Sequence, residues 1–295
     1  MQKTDTAPKL SLSYDELTEP ALSVLEEVIA SIKDIDAEER PTLLIEVIHQ
    51  IFQRSVNELF STGSSSFQLP KELVSRYQPC PEAIPLPEPA EILGATLSES
   101  LNLRASARNF SKTPIKLEEL SSFLYWAVGV RDHMDGYGVK DLPLFRYPST
   151  GGLPAFDVEM IVSNVEGLEA GYYRYHPVGH SLELLGKGAY RNDFGQYVFE
   201  NNWLFFAPVV LTFVHDLRVS RWKYHTRAYR FSHIDLGAAL QNVYLVAAAM
   251  SWACCAVAGF LDELANKSLS LNGRDRFLSL LVGLGNPGYP TAHST

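Results

Sequence analysis

Lys223 and Tyr224 stand side by side in the segment RVSRWKYHTRAYRF, seven residues after an apolar run that ends at Asp216. A lysine that loses its contacts with water can have a lowered pKa and then act as a proton acceptor. A neighbouring tyrosine hydroxyl can orient such an amine or relay its proton. The same pair also fits a solvated loop lysine beside an interface aromatic, so both interpretations stay open from the pair alone.

Two arginines and a serine alternate in the segment LRASARNF, as Arg104, Ser106 and Arg108. In an extended chain, side chains two residues apart point to the same side, so two guanidinium groups and a hydroxyl converge on one spot. Arginine binds phosphate through two parallel hydrogen bonds. The segment therefore indicates a phosphate site, with a solvated basic strand as the alternative.

Two further segments can bring bare backbone N–H groups close to a planar or anionic ligand. They are the turn formed by Ser149, Thr150, Gly151 and Gly152 in RYPSTGGLPAF, and the strand end formed by Ala258 and Gly259 in CCAVAGF. Glycine permits this close approach because it has no Cβ atom. Each signal is weak alone, since glycine turns before strands are common.

The elements that would position these residues begin after a different N-terminal part. Residues 1–92 read as a helical extension and connector. They contain amphipathic helices over residues 21–35 and after Pro41, followed by a polar and proline-rich stretch over residues 61–91. The extension fits either partner docking or dimer wrapping, and its role stays open.

Residues 93–295 alternate between helical and strand patterns, which predicts one α+β domain with a mixed central sheet flanked by helices. KLEELSSFLYWAVGV has helical spacing, AFDVEMIVSN alternates as a strand does, and GYYRYHPVGHSLELL reads as a hairpin. APVVLTFVH is apolar throughout, which predicts a central strand buried on both faces. A core helix is expected from about residue 232 to 250, and CCAVAGF and FLSLLVGLG read as two more buried strands.

The order RASARNF, YPSTGGL, RAYRFSHIDLGAALQNVYLVAAAMSWACCAVAGF and LLVGLGNP resembles the nitroreductase-fold flavoproteins over roughly residues 95–290. More narrowly, it is similar to their SagB-type branch, the azoline dehydrogenases, because of the Lys-Tyr pair before the long helix. The resemblance implies that Arg104, Ser106 and Arg108 hold the phosphate and ribityl chain of FMN. It also implies that Lys223 and Tyr224 are the catalytic pair.

The resemblance assigns the remaining segments to the flavin ring. The turn from Ser149 to Gly152 corresponds to the turn beside the isoalloxazine, and Ala258 and Gly259 correspond to the backbone that faces its N5 atom. Two features depart from the pattern. Relatives commonly continue the glycine turn with an aromatic residue or His and then Pro, whereas Pro154 and Ala155 stand here. Many relatives also have a basic residue near the C-terminus, which GLGNPGYPTAHST lacks.

The activity implied by the resemblance is FMN-dependent oxidation of a thiazoline or oxazoline ring in a peptide to a thiazole or oxazole. Hydride passes to the flavin N5 atom and oxygen is the expected acceptor. Two alternatives stay open: an NAD(P)H-dependent nitro- or quinone reductase of the same fold, and a non-catalytic scaffold in a biosynthetic complex. The expected partners are an azoline-containing peptide, a second copy in a homodimer, and a cyclodehydratase or peptide synthetase. Both a ribosomal and a carrier-bound peptide fit, as do both azolines.

Composition argues against several other classes of partner. The formal net charge of −9 disfavours nucleic acid, which requires clustered basic residues. The apolar stretch LVAAAMSWACCAVAGF is interrupted and shorter than the roughly 20 residues of a membrane helix, and the N-terminus does not resemble a signal peptide. A cytoplasmic protein without a membrane partner is therefore expected.

The cysteines and histidines have no spacing typical of metal ligands, so no metal is predicted. The three cysteines, Cys80, Cys254 and Cys255, read as small buried hydrophobic residues. His215 and Asp216 at a strand end lack a nucleophile pattern. The other histidines of interest are His225 and His233, which flank the start of the long helix, and His176 and His180, which are expected to be exposed at a hairpin turn.

Overall fold

The computed structural model describes residue 45 and residues 47–49, 68–92 and 95–288. The chain divides into two compact units, one comprising residues 1–65 and 224–227 and the other the remainder. The helix predicted over residues 21–35 lies outside the described residues. Of the helix predicted after Pro41, only residues 45 and 47–49 are described, and these are helical. The domain boundary predicted at residue 92 stays a prediction.

One seven-stranded sheet forms the centre of the larger unit. Its strands are β1 (Ile84–Pro85), β5 (Phe156–Val162), β7 (Gly171–His176), β8 (Ser181–Lys187), β9 (Val209–Asp216), β10 (Ala253–Val257) and β11 (Arg276–Gly285). They lie in the order β1–β8–β7–β5–β9–β11–β10. Every residue of β9 is buried, as predicted for a central strand, including the polar residues Thr212, His215 and Asp216.

The α+β class is confirmed, and the structure shows the direction in which each pair of neighbouring strands runs. Every ladder of the central sheet is antiparallel. The parallel ladder among the described strands joins β2 (Ile115–Lys116) to β6 (Val165–Glu166), outside that sheet. A separate hairpin consists of β3 (Val130–Gly136) and β4 (Val139–Phe145). Parallel and antiparallel pairs therefore both occur in the domain, but in different sheets. The sequence did not reveal this, because periodicity identifies a strand but not the direction of its neighbour.

Seven helices are described between residues 68 and 288, together with several three-ten turns. The helices are α1 (Lys71–Val74), α2 (Leu97–Leu103), α3 (Leu117–Val128), α4 (Phe194–Tyr197), α5 (Arg218–Tyr224), α6 (Arg227–Ala249) and α7 (Asp262–Ser268). Helix α3 confirms the predicted amphipathic helix, and its start is capped by the Glu119 carboxylate, which accepts from the Lys116 N–H. It ends at Gly129, where a Cβ atom would lie 2.4 Å from the Tyr125 carbonyl oxygen.

Helix α6 is the long predicted helix, and one stripe of it is buried. Ser232, Leu236, Ala239, Val243 and Ala247 recur at helical spacing along that stripe. The other positions are mostly half-buried or exposed. The prediction of a core helix is therefore correct for this stripe and wrong for the other faces of the helix. Composition does not reveal which faces of a helix pack against another element.

The connector over residues 68–92 packs against the central sheet through an ionic network. Arg76 pairs with Asp157 on β5, and Arg174 and Arg276 both contact the buried carboxylate of Glu159, at 2.9 and 2.7 Å. Burial opposes ionisation of Asp157, but the guanidinium groups of Arg76, Arg174 and Arg276 outweigh it and hold its pKa below the ordinary value. A cavity of about 560 Å³ between the connector and the sheet is bordered by Arg76, Asp157, Arg174 and Arg276.

Candidate functional site

Lys223 lies in the last turn of α5 and is half-buried, so its interpretation as a loop residue is wrong. The helix starts directly after β9 because the Asp216 carboxylate accepts from the backbone N–H of Arg218 at 3.3 Å and pairs with its guanidinium group. The Lys223 Nζ atom donates to the hydroxyl of Tyr137 at 2.6 Å and lies 4.4 Å from the centroid of its ring. A hydrogen bond and a contact with the aromatic ring thus fix the amine.

Tyr137 connects Lys223 to the glycine turn. It occupies the turn of the β3–β4 hairpin with a φ angle of 52°, followed by Gly138 at 75°. Its hydroxyl donates to the Gly151 carbonyl oxygen at 2.7 Å. Tyr137 was not among the predicted site residues, although a tyrosine between two glycines in DGYGVKD indicates a hairpin turn. The chain from Lys223 through Tyr137 to Gly151 joins two of the predicted site segments.

The glycine turn is anchored to α6 by a buried carboxylate. The backbone N–H and the side-chain hydroxyl of Thr150 both donate to Asp235, at 2.9–3.0 Å. Burial raises the pKa of Asp235, and the two Thr150 hydrogen bonds oppose that rise. Gly151 and Gly152 have φ angles of 65° and 71°, a conformation that glycine adopts without strain. The paired glycines are therefore required by the turn itself.

The residues around this turn differ in exposure. Ser149, with an extended backbone, and Thr150 are half-buried. Pro154 and Ala155 are both buried. The Ala155 carbonyl oxygen accepts from the Asp216 N–H at 2.9 Å, so this position contributes to packing at the end of β9.

The arginine segment has no regular secondary structure and runs beside β10, where the Ala107 N–H donates to the Cys254 carbonyl oxygen at 2.9 Å. Arg104 lies 5.6 Å from the ring centroid of Tyr244 on α6, and the hydroxyls of Ser106 and Tyr244 are 3.4 Å apart. Arg108 instead lies 5.9 Å from the ring of Trp203. The structure therefore brings Arg104 and Ser106 together at Tyr244 and directs Arg108 to a second aromatic ring.

Ala258 and Gly259 are exposed and follow the last residue of β10. A Cβ atom at Gly259 would have no described heavy atom within 4 Å, so the backbone there is open. The same strand carries Ala256, whose N–H donates to the Tyr244 hydroxyl at 2.9 Å. Strand β10 thus contacts Tyr244 and the arginine segment.

Helix α6 carries both anchoring side chains. Asp235 holds the glycine turn and Tyr244 contacts Arg104 and Ser106, and these two helix positions are nine residues apart. Nine residues correspond to about 14 Å along a helix axis. An elongated ligand with an anionic end would fit such an arrangement. Neither Arg104 nor Arg108 forms an ion pair with a carboxylate among the residues that the structure describes.

Comparison with known proteins identifies the family. The model described as the nitroreductase family matches residues 101–286, which is more than half of the chain and includes every predicted site residue. The chain belongs to the nitroreductase family.

Two individual likenesses agree with this membership, and a third shows the same fold. A nitroreductase described for Methanocaldococcus jannaschii is 29% identical over 180 residues, covering 61% of this chain and 85% of that protein. A solved structure from Ralstonia eutropha JMP134, also described as a nitroreductase, has a TM-score of 0.58 and 28% identity, covering 77% of this chain and 100% of its own. A chain of the E. coli microcin synthetase McbBCD complex, solved with truncated pro-MccB17 bound, has a TM-score of 0.53 and 20% identity, covering 94% and 100%. The predicted nitroreductase-like fold is confirmed, and the protein is a nitroreductase-family oxidoreductase.

His215 is a structural residue in this nitroreductase-family chain. It is fully buried, and its Nδ1 atom forms a short hydrogen bond with the Ser279 hydroxyl. Burial, together with the His233 ring 4.5 Å away, lowers the pKa of His215 to about 4, so its ring is neutral at pH 7. Its neighbour Asp216 caps α5, as described above, so the two residues do not form a catalytic dyad.

The hairpin histidines are not exposed, contrary to the prediction. His176 is half-buried, and its Nε2 atom lies 3.0 Å from the Glu183 carboxylate. His180 is also half-buried, 2.7 Å from the Ser121 hydroxyl and 2.8 Å from that of Tyr175, and burial lowers its pKa. These histidines are shielded from water because the connector packs over this hairpin. His225 is exposed and His233 half-buried.

Cys254 and Cys255 are buried free thiols in β10, as predicted, whereas Cys80 is only half-buried. Burial raises the pKa of both β10 thiols. In the part of the chain that the structure describes, no helix is long and apolar enough to span a membrane.

Proposed function

We propose that this nitroreductase-family protein is an FMN-dependent dehydrogenase that converts thiazoline or oxazoline rings in a peptide to thiazoles or oxazoles. The observation that carries the proposal is the hydrogen-bonded chain from Lys223 through Tyr137 to Gly151. It holds an amine close to the turn that corresponds to the flavin ring. A reductase that receives hydride from NAD(P)H has no need of a proton-abstracting lysine at that place.

The described residues fit FMN. Arg104 and Arg108 present guanidinium groups for the phosphate, with the Ser106 hydroxyl between them in the sequence. The turn from Ser149 to Gly152 and the open backbone at Ala258 and Gly259 would hold the ring. When bound, FMN supplies the hydride acceptor and passes the electrons to oxygen.

Residues of this chain accept the proton that the substrate loses. Aromatisation of an azoline removes a proton from C4 and a hydride from C5, and the adjacent imine and carbonyl make the C4 proton acidic. The neutral amine of Lys223 takes this proton and becomes an ammonium. The Tyr137 hydroxyl positions the amine, because it accepts a hydrogen bond from Nζ and is itself fixed by donating to Gly151. Tyr224, the last residue of α5, would orient the amine or relay its proton.

The proposed substrate is a peptide, either ribosomal or carrier-bound, delivered by a cyclodehydratase or a peptide synthetase. The fold shared with a chain of the microcin synthetase complex supports this class of partner. That complex was solved with a truncated precursor, pro-MccB17, bound.

The proposal is tested by anaerobic mixing of the FMN-loaded protein with a thiazoline peptide and, separately, with NADPH. We expect the flavin absorbance to bleach with the thiazoline peptide, and mass spectrometry to show a product lighter by two hydrogens. Bleaching by NADPH alone would replace the proposal with the nitro- or quinone reductase alternative. A purified protein that binds no FMN would favour the scaffold.

We also propose that the protein is a homodimer. Exposed apolar side chains support this: Leu97, Leu101 and Leu103 on α2 are 66%, 51% and 63% exposed, and Ile234 on α6 is 61% exposed. Light scattering at micromolar concentration is expected to give twice the mass of one chain. A flavin-loaded species with the mass of one chain would contradict the dimer.

A further inference from the structure

We propose that Cys80, His176 and Glu183 form a zinc site outside the residues of the proposed function. Their ligand atoms all lie within 4.8 Å of one another. A thiolate, an imidazole and a carboxylate are the three protein ligands that zinc takes, and a thiolate disfavours magnesium and calcium. Ligand bonds of about 2.0–2.3 Å would be reached by small side-chain rotations from these separations.

The fold holds two of the ligands on one face of the β7–β8 hairpin. His176 is opposite Ser181 in the ladder, and Glu183 is two residues further along β8, so the two side chains point to the same side. The His176 Nε2 atom is already 3.0 Å from a Glu183 carboxylate oxygen. A cation bound by both side chains would replace this contact.

The connector supplies the third ligand. Cys80 begins a tight turn in which the Ala83 N–H donates to the Cys80 carbonyl oxygen at 3.2 Å. The neighbouring Pro79 lies against the hairpin turn at Gly179, where a Cβ atom would be 3.2 Å from the Pro79 Cβ. Gly179 has a φ angle of 88°, so both its conformation and this close approach favour glycine. The contact brings the thiol over the hairpin.

The surrounding charges orient Glu183. The Arg174 guanidinium donates at 3.0 Å to the same carboxylate oxygen that contacts His176, which leaves the second oxygen for an ion. Arg174 is itself held by the buried Glu159 at 2.9 Å. This positive group lowers affinity for a cation but fixes the ligand, as outer partners of metal ligands commonly do. The Cys80 thiolate and the Glu183 carboxylate together balance the two charges of zinc.

The site opens onto the cavity of about 560 Å³, which all three residues line. Water can therefore complete a four-coordinate site. Because Cys80 belongs to the connector and the other two ligands to the sheet, the ion would cross-link them and stabilise the folded chain. Zinc at one hundred times its Kd is expected to raise Tm by roughly 4 °C through mass action.

The test is titration of chelator-treated full-length protein with Co²⁺ alone, which reports a thiolate ligand through a ligand-to-metal charge-transfer band. We expect the band to saturate at one equivalent and zinc to displace it. Cys80→Ser should abolish the band, and His176→Ala should weaken binding at least tenfold. The matched controls Cys254→Ala and His133→Ala should bind as the native protein does.

Circular dichroism of each variant separates loss of binding from loss of folding. A band that survives in folded Cys80→Ser, or no band in the native protein, would overturn the zinc site. These outcomes do not depend on flavin or on azoline oxidation.

Discussion

Replacing Lys223 with alanine is expected to lower the rate of azoline oxidation about 10²- to 10⁴-fold, the usual contribution of a positioned general base. FMN content and dimerisation should stay native, because the residues proposed to bind the phosphate, Arg104 and Arg108, contact Tyr244 and Trp203 elsewhere in the fold. The measurement is the rate of anaerobic flavin bleaching on mixing with an azoline peptide. The native pH–rate profile should have an ascending limb as the amine loses its proton, and this limb should be absent in the variant.

Three further variants distinguish the loss of proton transfer from the loss of side-chain packing. Lys223→Arg keeps a positive charge but does not give up its proton at accessible pH, so it should be as inactive as Lys223→Ala. Tyr137→Phe keeps the ring beside the amine but removes the hydroxyl that contacts Lys223 and Gly151, and is expected to slow bleaching about 10- to 150-fold, as for a lost hydrogen bond to a charged group. Tyr224→Phe should be affected less than Lys223→Ala.

Chemical rescue provides the sharpest control. Added methylamine should restore part of the activity of Lys223→Ala but not that of Tyr137→Phe, because only the first variant lacks the amine. Bleaching of Lys223→Ala at the native rate would show that Lys223 is not the base. Azoline oxidation by the protein would then need a different proton acceptor.

Removing either arginine of the segment from Arg104 to Arg108 is expected to weaken FMN binding about 10- to 150-fold, which corresponds to about 1.5–3 kcal/mol for one charge-assisted phosphate contact. The variants are Arg104→Ala and Arg108→Ala, and both side chains are exposed, so the fold should survive. Affinity is measured by quenching of FMN fluorescence during titration with apoprotein.

A matched control is Arg131→Ala, which removes an exposed arginine from β3 and should leave the affinity unchanged. Native affinity in both Arg104→Ala and Arg108→Ala would show that the phosphate is held by other residues. Weakening by all three variants would instead indicate a general effect of positive charge.

The sequence by itself determined the elements and most of the segments that the site requires. The apolar run of β9 and the spacing of α3 produced correct predictions because hydrophobic periodicity is a local property of a strand or helix. The order of the arginine segment, the glycine turn and the strand-end residues 258–259 predicted the family that the comparison confirmed. These features depend on residue types and on short spacings, which the sequence contains.

Only the tertiary structure decided which side chains meet. Tyr137 and Lys223 are separated by 86 positions, and Thr150 and Asp235 by 85. Neither pair follows from periodicity, because such contacts depend on the path of the whole chain and on the direction of each connection. The placement of Lys223 in a helix has the same origin, since the Asp216 cap starts α5 directly at the end of β9.

Long-range packing also explains why the sequence did not predict the burial of His176 and His180 or their proximity to Cys80. Sequence spacing gave no metal-ligand pattern because Cys80 lies about one hundred residues before His176 and Glu183. The connector folds over the β7–β8 hairpin, where it half-buries His176 and His180 and brings the thiol within reach of the carboxylate. Local patterns fixed the elements of this protein, and long-range packing assembled both the candidate active site and the proposed zinc site.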